Sequence, residues 1–344
     1  MIDLNYYKDK TYLISTSAII DSNQQNVISN LVSKWRHYQG PKGYSIESTE
    51  QIELFLKQFY NVCENDLDVL DGLILLLDQV QVLSRNMVVN SLISAIRLIT
   101  RLSGKSADNL IFSTLGSLKD SSNHLAYYLS DLTEYFGTID AKNIRDIDSE
   151  AISKKTIVFF EDAFYSGTQI ISIFQEMLGM PEKDRIICEN HGGPLKPEQV
   201  EILQSTKCYI SFCYCNEENI IFVEEEIRKL GLDIEVLSAE KFPPKIFEET
   251  GSGIFKTAAQ KEKVKSVLIS VGRQLLNSVK MDKGTYKDNW DEDRVLASVL
   301  GYNNAQQTVI LPTNTPTYTI TALWLKGRLE SGVEWMPLFP RLSK

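Results

Sequence analysis

The chain has 344 residues, of which 43% are hydrophobic, 24% charged and 10% aromatic, the profile of a globular protein with one large or two small domains and a sizeable core. Lys and Arg number 36 against 45 Asp and Glu, a net charge of −9, which argues against general nucleic-acid binding because phosphate neutralisation needs clustered cations. Three His and five Cys leave little room for a His-rich metal centre or a secreted disulfide framework, so a reducing cytoplasm is the expected location.

Along the chain, Met1 to Lys10 carries charges and tyrosines without a continuous apolar stretch, so no export signal is expected there. Tyr12 to Ile20 reads as a short strand. Asn23 to Tyr38 reads as a helix with Val27, Leu31 and Trp35 on one face, and Gly40 to Gly43 as a turn. Ser48 with Gln51 forms a capping-box pattern before the apolar stripe Ile52, Phe55, Leu56 and Phe59. Two further helices span Leu67 to Leu83 and Asn86 to Leu102. The first is interrupted by Asp68, Asp71 and Asp78 and is too short and charged to span a bilayer.

Beyond Gly104 the texture changes to strands separated by helices. Strands are expected at Asn109 to Thr114, Thr156 to Phe160, Arg185 to Glu189, Cys208 to Cys215, Asp233 to Ser238 and Thr308 to Pro312. Helices are expected at His124 to Tyr135, Thr168 to Leu178, Pro197 to Leu203, Glu217 to Leu230 and Glu248 to Asn277. That alternation predicts an α/β fold with a mostly parallel sheet, helices on its faces and ligands at the carboxyl ends of the strands.

The segment Thr156 to Ile171, TIVFFEDAFYSGTQII, carries the most chemistry. An apolar strand ends in the carboxylates Glu161 and Asp162, and Ser166-Gly167-Thr168 opens an amphipathic helix. Hydroxyls, exposed N–H groups and the helix dipole suit a phosphate monoester, and glycine permits close backbone approach or positive φ. Carboxylates at a strand tip can accept hydrogen bonds from vicinal sugar hydroxyls and offset positive charge at an anomeric carbon. The same residues also suit an ordinary strand–turn–helix junction with Asp162 and Ser166 as turn and cap residues. Neither GxxxxGK[ST] nor a strand-borne GxGxxG is present.

At these residues the sequence resembles the type I phosphoribosyltransferases, whose signature is an apolar strand, two acids, three variable residues, Thr/Ser-Gly and a helix. The resemblance implies a phosphoribosyltransferase-like (Rossmann-like) α/β fold in which Glu161 and Asp162, as the catalytic pair, face the ribose hydroxyls and Ser166, Gly167, Thr168 and Gln169 wrap the 5′-phosphate. Two departures stand out: Glu161 replaces the usual Asp, and Thr168-Gln169 replaces the usual Gly-Thr. A pyrophosphate loop is implied one strand earlier, with Gly116, Ser117, Lys119 and Ser121 as its binding residues. Mg²⁺ is implied as cofactor, held through ligand pyrophosphate and ribose oxygens rather than by a protein cage.

The tail segments Leu300 to Leu311, Asn314-Thr-Pro-Thr317 and Trp335-Met-Pro-Leu-Phe-Pro-Arg341 are similar to the PRTase-CE group of bacterial conflict and phage-defence loci. Asn314, Thr315 and Thr317 follow a strand and could edge a pocket or contact a base; a rigid polar turn is the other reading. Trp324, Trp335 and Phe339 suit packing better than base stacking, and Arg341 suits a surface ion pair. Cys208, Cys213 and Cys215 lack metal-ligand spacing and read as buried thiols, so no protein metal site is expected. His191, in His-Gly-Gly-Pro, reads as a surface-loop residue, with an acid/base role as the alternative.

The implied division is a helical region at 1–104, a phosphoribosyltransferase-like core at 105–240, and at 241–344 a helical segment with a C-terminal extension that completes the sheet or hood. The implied ligand is phosphoribosyl pyrophosphate or a related ribose phosphate or nucleotide, in a transferase of an anti-phage system. Two other functions use the same pocket: a non-catalytic sensor or regulator of a defence effector, and an N-glycosidic nucleotide hydrolase. The expected partners are that ligand and a protein encoded in a defence operon, with no membrane and no strong nucleic-acid signal.

Overall fold

The computed structural model describes residues 20–115, 128–129, 132–137, 139, 143–147, 155–187, 190–248, 253–282, 291–312 and 314–341. All but Ile20 of the expected strand at 12–20, and most of the expected helix at 124–135, lie outside them. In chain order come α1 (Ser22–Trp35), α2 (Thr49–Val62), α3 (Leu67–Asp78), β1 (Gln81–Val82), α4 (Arg85–Ser103), β2 (Leu110–Thr114) and β3 (Thr156–Phe164). Then follow α5 (Thr168–Met177), α6 (Pro197–Ser205), β4 (Cys208–Cys215), α7 (Ile220–Lys229), β5 (Ile234–Lys241), α8 (Ala258–Asp282), β6 (Val309–Ile310), β7 (Gly327–Arg328) and β8 (Glu334–Trp335). No helix is long and apolar enough to cross a membrane among the described residues.

Contacts group the chain into two compact units, 1–84 with 243–344, and 85–242. Sequence texture placed the divisions after 104 and 240; α4 packs on β4 and β5, which puts it with the sheet.

The first unit is a helical body closed by the tail. Asp21 accepts from the Gln24 amide at 2.8 Å while Gln24 Oε1 accepts from the Asp21 amide at 3.0 Å, starting α1. Its buried face is Ile28, Leu31 and Trp35. Val27, expected on that face, is half-buried, because a strict four-residue row drifts round a helix of 3.6 residues per turn. The expected stripe of α2 is buried as Ile52, Phe55, Leu56 and Phe59. Helix α3 stops at Asp78, short of the expected Leu83, and Gln81–Val82 then pair in parallel with Val309–Ile310. Gly72 lets α3 approach α8, since a Cβ there would lie 2.6 Å from Val264 Cγ2.

The tail from Trp335 to Phe339 packs within this unit. Trp335 is fully buried, donates from Nε1 to the Ala322 carbonyl at 2.9 Å and meets Phe59 edge-on at 4.7 Å. Gln58 donates to the Met336 carbonyl at 2.9 Å and accepts from the Met336 amide at 2.8 Å. Phe339 packs edge-on against Trp35 at 5.0 Å.

Among the described residues, the second unit carries a four-stranded parallel sheet in the order β2-β3-β4-β5. Strand alternation separates its faces. Ile157, Phe159, Ile210 and Phe212 join one apolar cluster with Ile173 and Phe174 of α5, Leu203 of α6 and Val223 and Ile227 of α7. The opposite face carries α4. The expected strand at Arg185 to Glu189 is corrected. Residues 185–187 are bends lying along α5, where the Ile186 amide donates to Gln175 Oε1 at 2.8 Å and Ser172 Oγ donates to the Ile187 carbonyl at 2.9 Å. Helix side chains thus take the backbone bonds a strand neighbour would have taken; Cys188 and Glu189 lie outside the described residues.

Because Trp335 fills a closed site and satisfies its own N–H, Trp335→Ala is expected to cost about 3–5 kcal/mol of stability, read from urea denaturation followed by circular dichroism.

Candidate functional site

At the carboxyl end of β3, the apolar run continues straight through the two acids, so the strand ends at Phe164 and the turn is only Tyr165 to Gly167. Pairing with β4 keeps one offset, Glu161↔Phe212 and Ala163↔Tyr214, but skips Asp162 and Cys213. Beyond them Phe164 and Cys215 join the same apolar cluster as Phe159 and Phe212, so the alternation of faces shifts at the acids. The charges of Asp162 and, more weakly, Glu161 both act on Cys213 of β4. Both are partly exposed. Glu161 Oε1 accepts from the Asp162 amide at 3.3 Å, and Asp162 Oδ1 from the Ala163 amide at 2.7 Å.

Gly167 is the N-cap of α5 at φ 74° and ψ −6°. A Cβ at this position would lie 2.1 Å from Val223 Cγ2, so both the backbone conformation and the space exclude a side chain. Ser166 Oγ and Thr168 Oγ1 are 3.0 Å apart and both residues are partly exposed, while Gln169 is exposed. Two hydroxyls and the first amides of an amphipathic ten-residue helix therefore meet at one turn, a constellation suited to an anion.

The turn is held by β4 and α7. Phe164 meets Phe212 at 4.6 Å, the Phe164 carbonyl accepts from the Asn216 amide at 3.1 Å, and the Tyr165 carbonyl accepts from Asn219 Nδ2 at 2.7 Å. Neither asparagine lies in a motif that would mark it in the sequence.

Gly116, Ser117, Lys119 and Ser121 lie outside the described residues. The segment beside the strand that leads to them is anchored: the Ile144 amide donates to Ser113 Oγ at 2.9 Å, and Gln199 Nε2 donates to the Ile144 and Ile147 carbonyls. Asn314, Thr315 and Thr317 belong to the first unit. Thr315 is fully buried and donates to the Phe339 carbonyl at 2.8 Å, and Asn314 Oδ1 accepts from the Thr315 amide. In the same unit the Arg341 guanidinium lies over the Trp324 ring at 5.7 Å.

His191 is a buried residue rather than a surface one, at 2% exposure. Its amide and that of Gly193 donate to the buried Glu176 carboxylate at 2.6 and 2.9 Å, and Arg185 Nη1 lies 3.4 Å from the same group. This carboxylate moors the His-Gly-Gly loop to α5. Glycine supplies the positive φ of 120° and 88° at Gly192 and Gly193.

Cys208, Cys213 and Cys215 are free, buried thiols. Burial pushes Cys208 and Cys213 up to about 12, and the Asp162 charge beside Cys213 acts in the same direction. Folded, these thiols keep their protons to about 12, against an ordinary value of 9.0. Between those values the unfolded chain binds fewer protons, so stability falls as pH rises through that window. Denaturation midpoints that decline above pH 9 in wild type, and less so in Cys208→Ala/Cys213→Ala, check this.

Gly167→Ala is expected to lose about 1–2 kcal/mol to the left-handed backbone and about 1–3 kcal/mol to overpacking. Adding Val223→Ala should recover only the second part, which a double-mutant cycle in urea measures.

Comparison with known proteins gives these residues a family. No curated protein matches the sequence. A solved structure that matches is Leishmania donovani UMP synthase, at 12% identity and a TM-score of 0.26; the match covers 72% of this chain and spans 42% of that one. The PRTase-CE family matches residues 52–341, a span that takes in the β3–α5 turn, the rest of the sheet and the Trp335 tail. The chain is thus a phosphoribosyltransferase-like protein and belongs to the PRTase-CE family.

Proposed function

We propose that this protein binds a phosphorylated ribose, with phosphoribosyl pyrophosphate as the reference ligand, at the carboxyl end of β3. The observation that carries the reading is the Ser166-Gly167-Thr168 turn, where a glycine at φ 74° opens a helix directly after a strand bearing two carboxylates. Ser166 to Gln169 would hold the 5′-phosphate through hydroxyls and backbone N–H groups. Glu161 and Asp162 would accept hydrogen bonds from ribose hydroxyls and offset positive charge at the anomeric carbon. The leaving pyrophosphate would be met by Gly116, Ser117, Lys119 and Ser121.

Glu161 and Asp162 are hard oxygen donors suited to a hydrated Mg²⁺ carried by the ligand; among the described residues no cluster of three or more His, Cys, Asp or Glu side chains could hold a metal. Bound there, Mg²⁺ would neutralise charge on the pyrophosphate. The protein's own contribution is positioning and charge complementarity rather than a nucleophile.

A transferase with a base or nucleotide as acceptor is the first form of this activity, placed in the cytoplasm within an anti-phage defence system. A second form is a ligand-binding sensor acting on a defence effector, favoured by the departures Glu161 for Asp and Thr168-Gln169 for Gly-Thr, which leave phosphate binding intact and weaken the case for transfer.

The test is purified protein with labelled phosphoribosyl pyrophosphate, Mg²⁺ and a panel of bases and nucleotides. Turnover lost in Asp162→Asn, Glu161→Gln and Gly167→Trp supports the transferase. Release of free base from a nucleotide supports the hydrolase that uses water as acceptor. Saturable binding without turnover supports the sensor. No binding of any ribose phosphate overturns the assignment of the site.

A further inference from the structure

The β3–α5 turn is set from outside its own strand and helix. The Phe164 carbonyl is held by the Asn216 amide, the Tyr165 carbonyl by Asn219 Nδ2, and Gly167 sits against Val223. All three ties come from one short stretch, the 3₁₀ turn Glu217–Asn219 with its flanking residue and the first turn of α7. The Asn219 amide closes that stretch on the Asn216 carbonyl at 3.0 Å.

Asn219 occupies the N-cap of α7, where an asparagine side chain ordinarily accepts from the helix's own first amides. Here it makes no cap bond to α7; its backbone is at φ −96° and ψ −4°, and its side chain reaches 54 residues back to Tyr165. The consequence follows from peptide geometry. The Tyr165 carbonyl and the Ser166 N–H belong to one trans peptide, so they point in opposite directions. Turning the carbonyl onto Asn219 turns the Ser166 N–H away from the α7 side.

We infer that Asn219 is a positioning residue: it orients the Ser166 N–H for an anion on the turn, and so sets the affinity of the turn for a phosphate monoester. The inference rests on the reading of Ser166 to Gln169 as the 5′-phosphate site.

Asn219→Asp in the full chain isolates this role. The carboxylate has the same shape and suits a helix N-terminus, but it cannot donate to the Tyr165 carbonyl. The expected result is an affinity for ribose 5-phosphate, measured by isothermal titration calorimetry, weakened about tenfold by loss of one buried-side hydrogen bond. The thermal midpoint should fall by no more than one hydrogen bond accounts for, and amide exchange at Ser166 and Gly167 should quicken. Asn219→Ala should weaken binding similarly. Unchanged affinity in Asn219→Asp, or unchanged amide exchange at Ser166, overturns the positioning role. If wild type itself fails to bind ribose 5-phosphate, the phosphate-site reading fails, and exchange at Ser166 alone decides the tie: unchanged exchange overturns it, faster exchange upholds it.

Discussion

The contact between Gly167 and Val223 is the constraint on which the candidate site depends. A backbone at φ 74° meets a valine methyl where any Cβ would stand at 2.1 Å. That closeness brings the start of α5 down onto α7, and α7 is in turn fixed on the sheet by Val223 and Ile227 in the apolar cluster. The turn therefore inherits the rigidity of a packed parallel sheet rather than the freedom of a surface loop. Sites held to a fraction of an ångström need such a supporting layer.

The same physics explains how a chain of net charge −9 could receive an anion. The turn offers hydroxyls and helix amides, which are fixed dipoles, and close in they act independently of the overall charge. Where a true carboxylate is buried, as at Glu176, the fold surrounds it with two loop amides and Arg185. That satisfies the rule that a buried charge needs a partner and hydrogen bonds. The result is structural: a loop rich in glycine is moored to the last turn of α5.

Much of the local structure was legible in the residues. The span of β4 was read as it stands, the stripe of α2 likewise, and the strand, acids and turn of β3 and α5 were recognisable from their order, because each depends on neighbours in sequence. Arg185 to Glu189 failed as a strand because β-branched apolar residues suit any half-buried extended segment, and here Gln175 and Ser172 supplied the hydrogen bonds. A histidine ahead of two glycines has the sequence signature of an exposed loop, and His191 is buried because the distant Glu176 carboxylate caps that loop.

By itself the sequence determined the elements and the chemistry available: a phosphate-suited turn after an acidic strand end, buried thiols, and a tail of tryptophan and phenylalanine suited to packing. Periodicity, capping and glycine are short-range signals, and they act before the chain has folded. Only the tertiary structure decided that the strand runs on past both acids to Phe164, paired with β4. It also decided that Asn219 and Val223 hold the turn, and that the tail packs with α1 and α2 in a discontinuous unit. Those relations join residues far apart in the chain, and only packing that buries apolar surface brings them together.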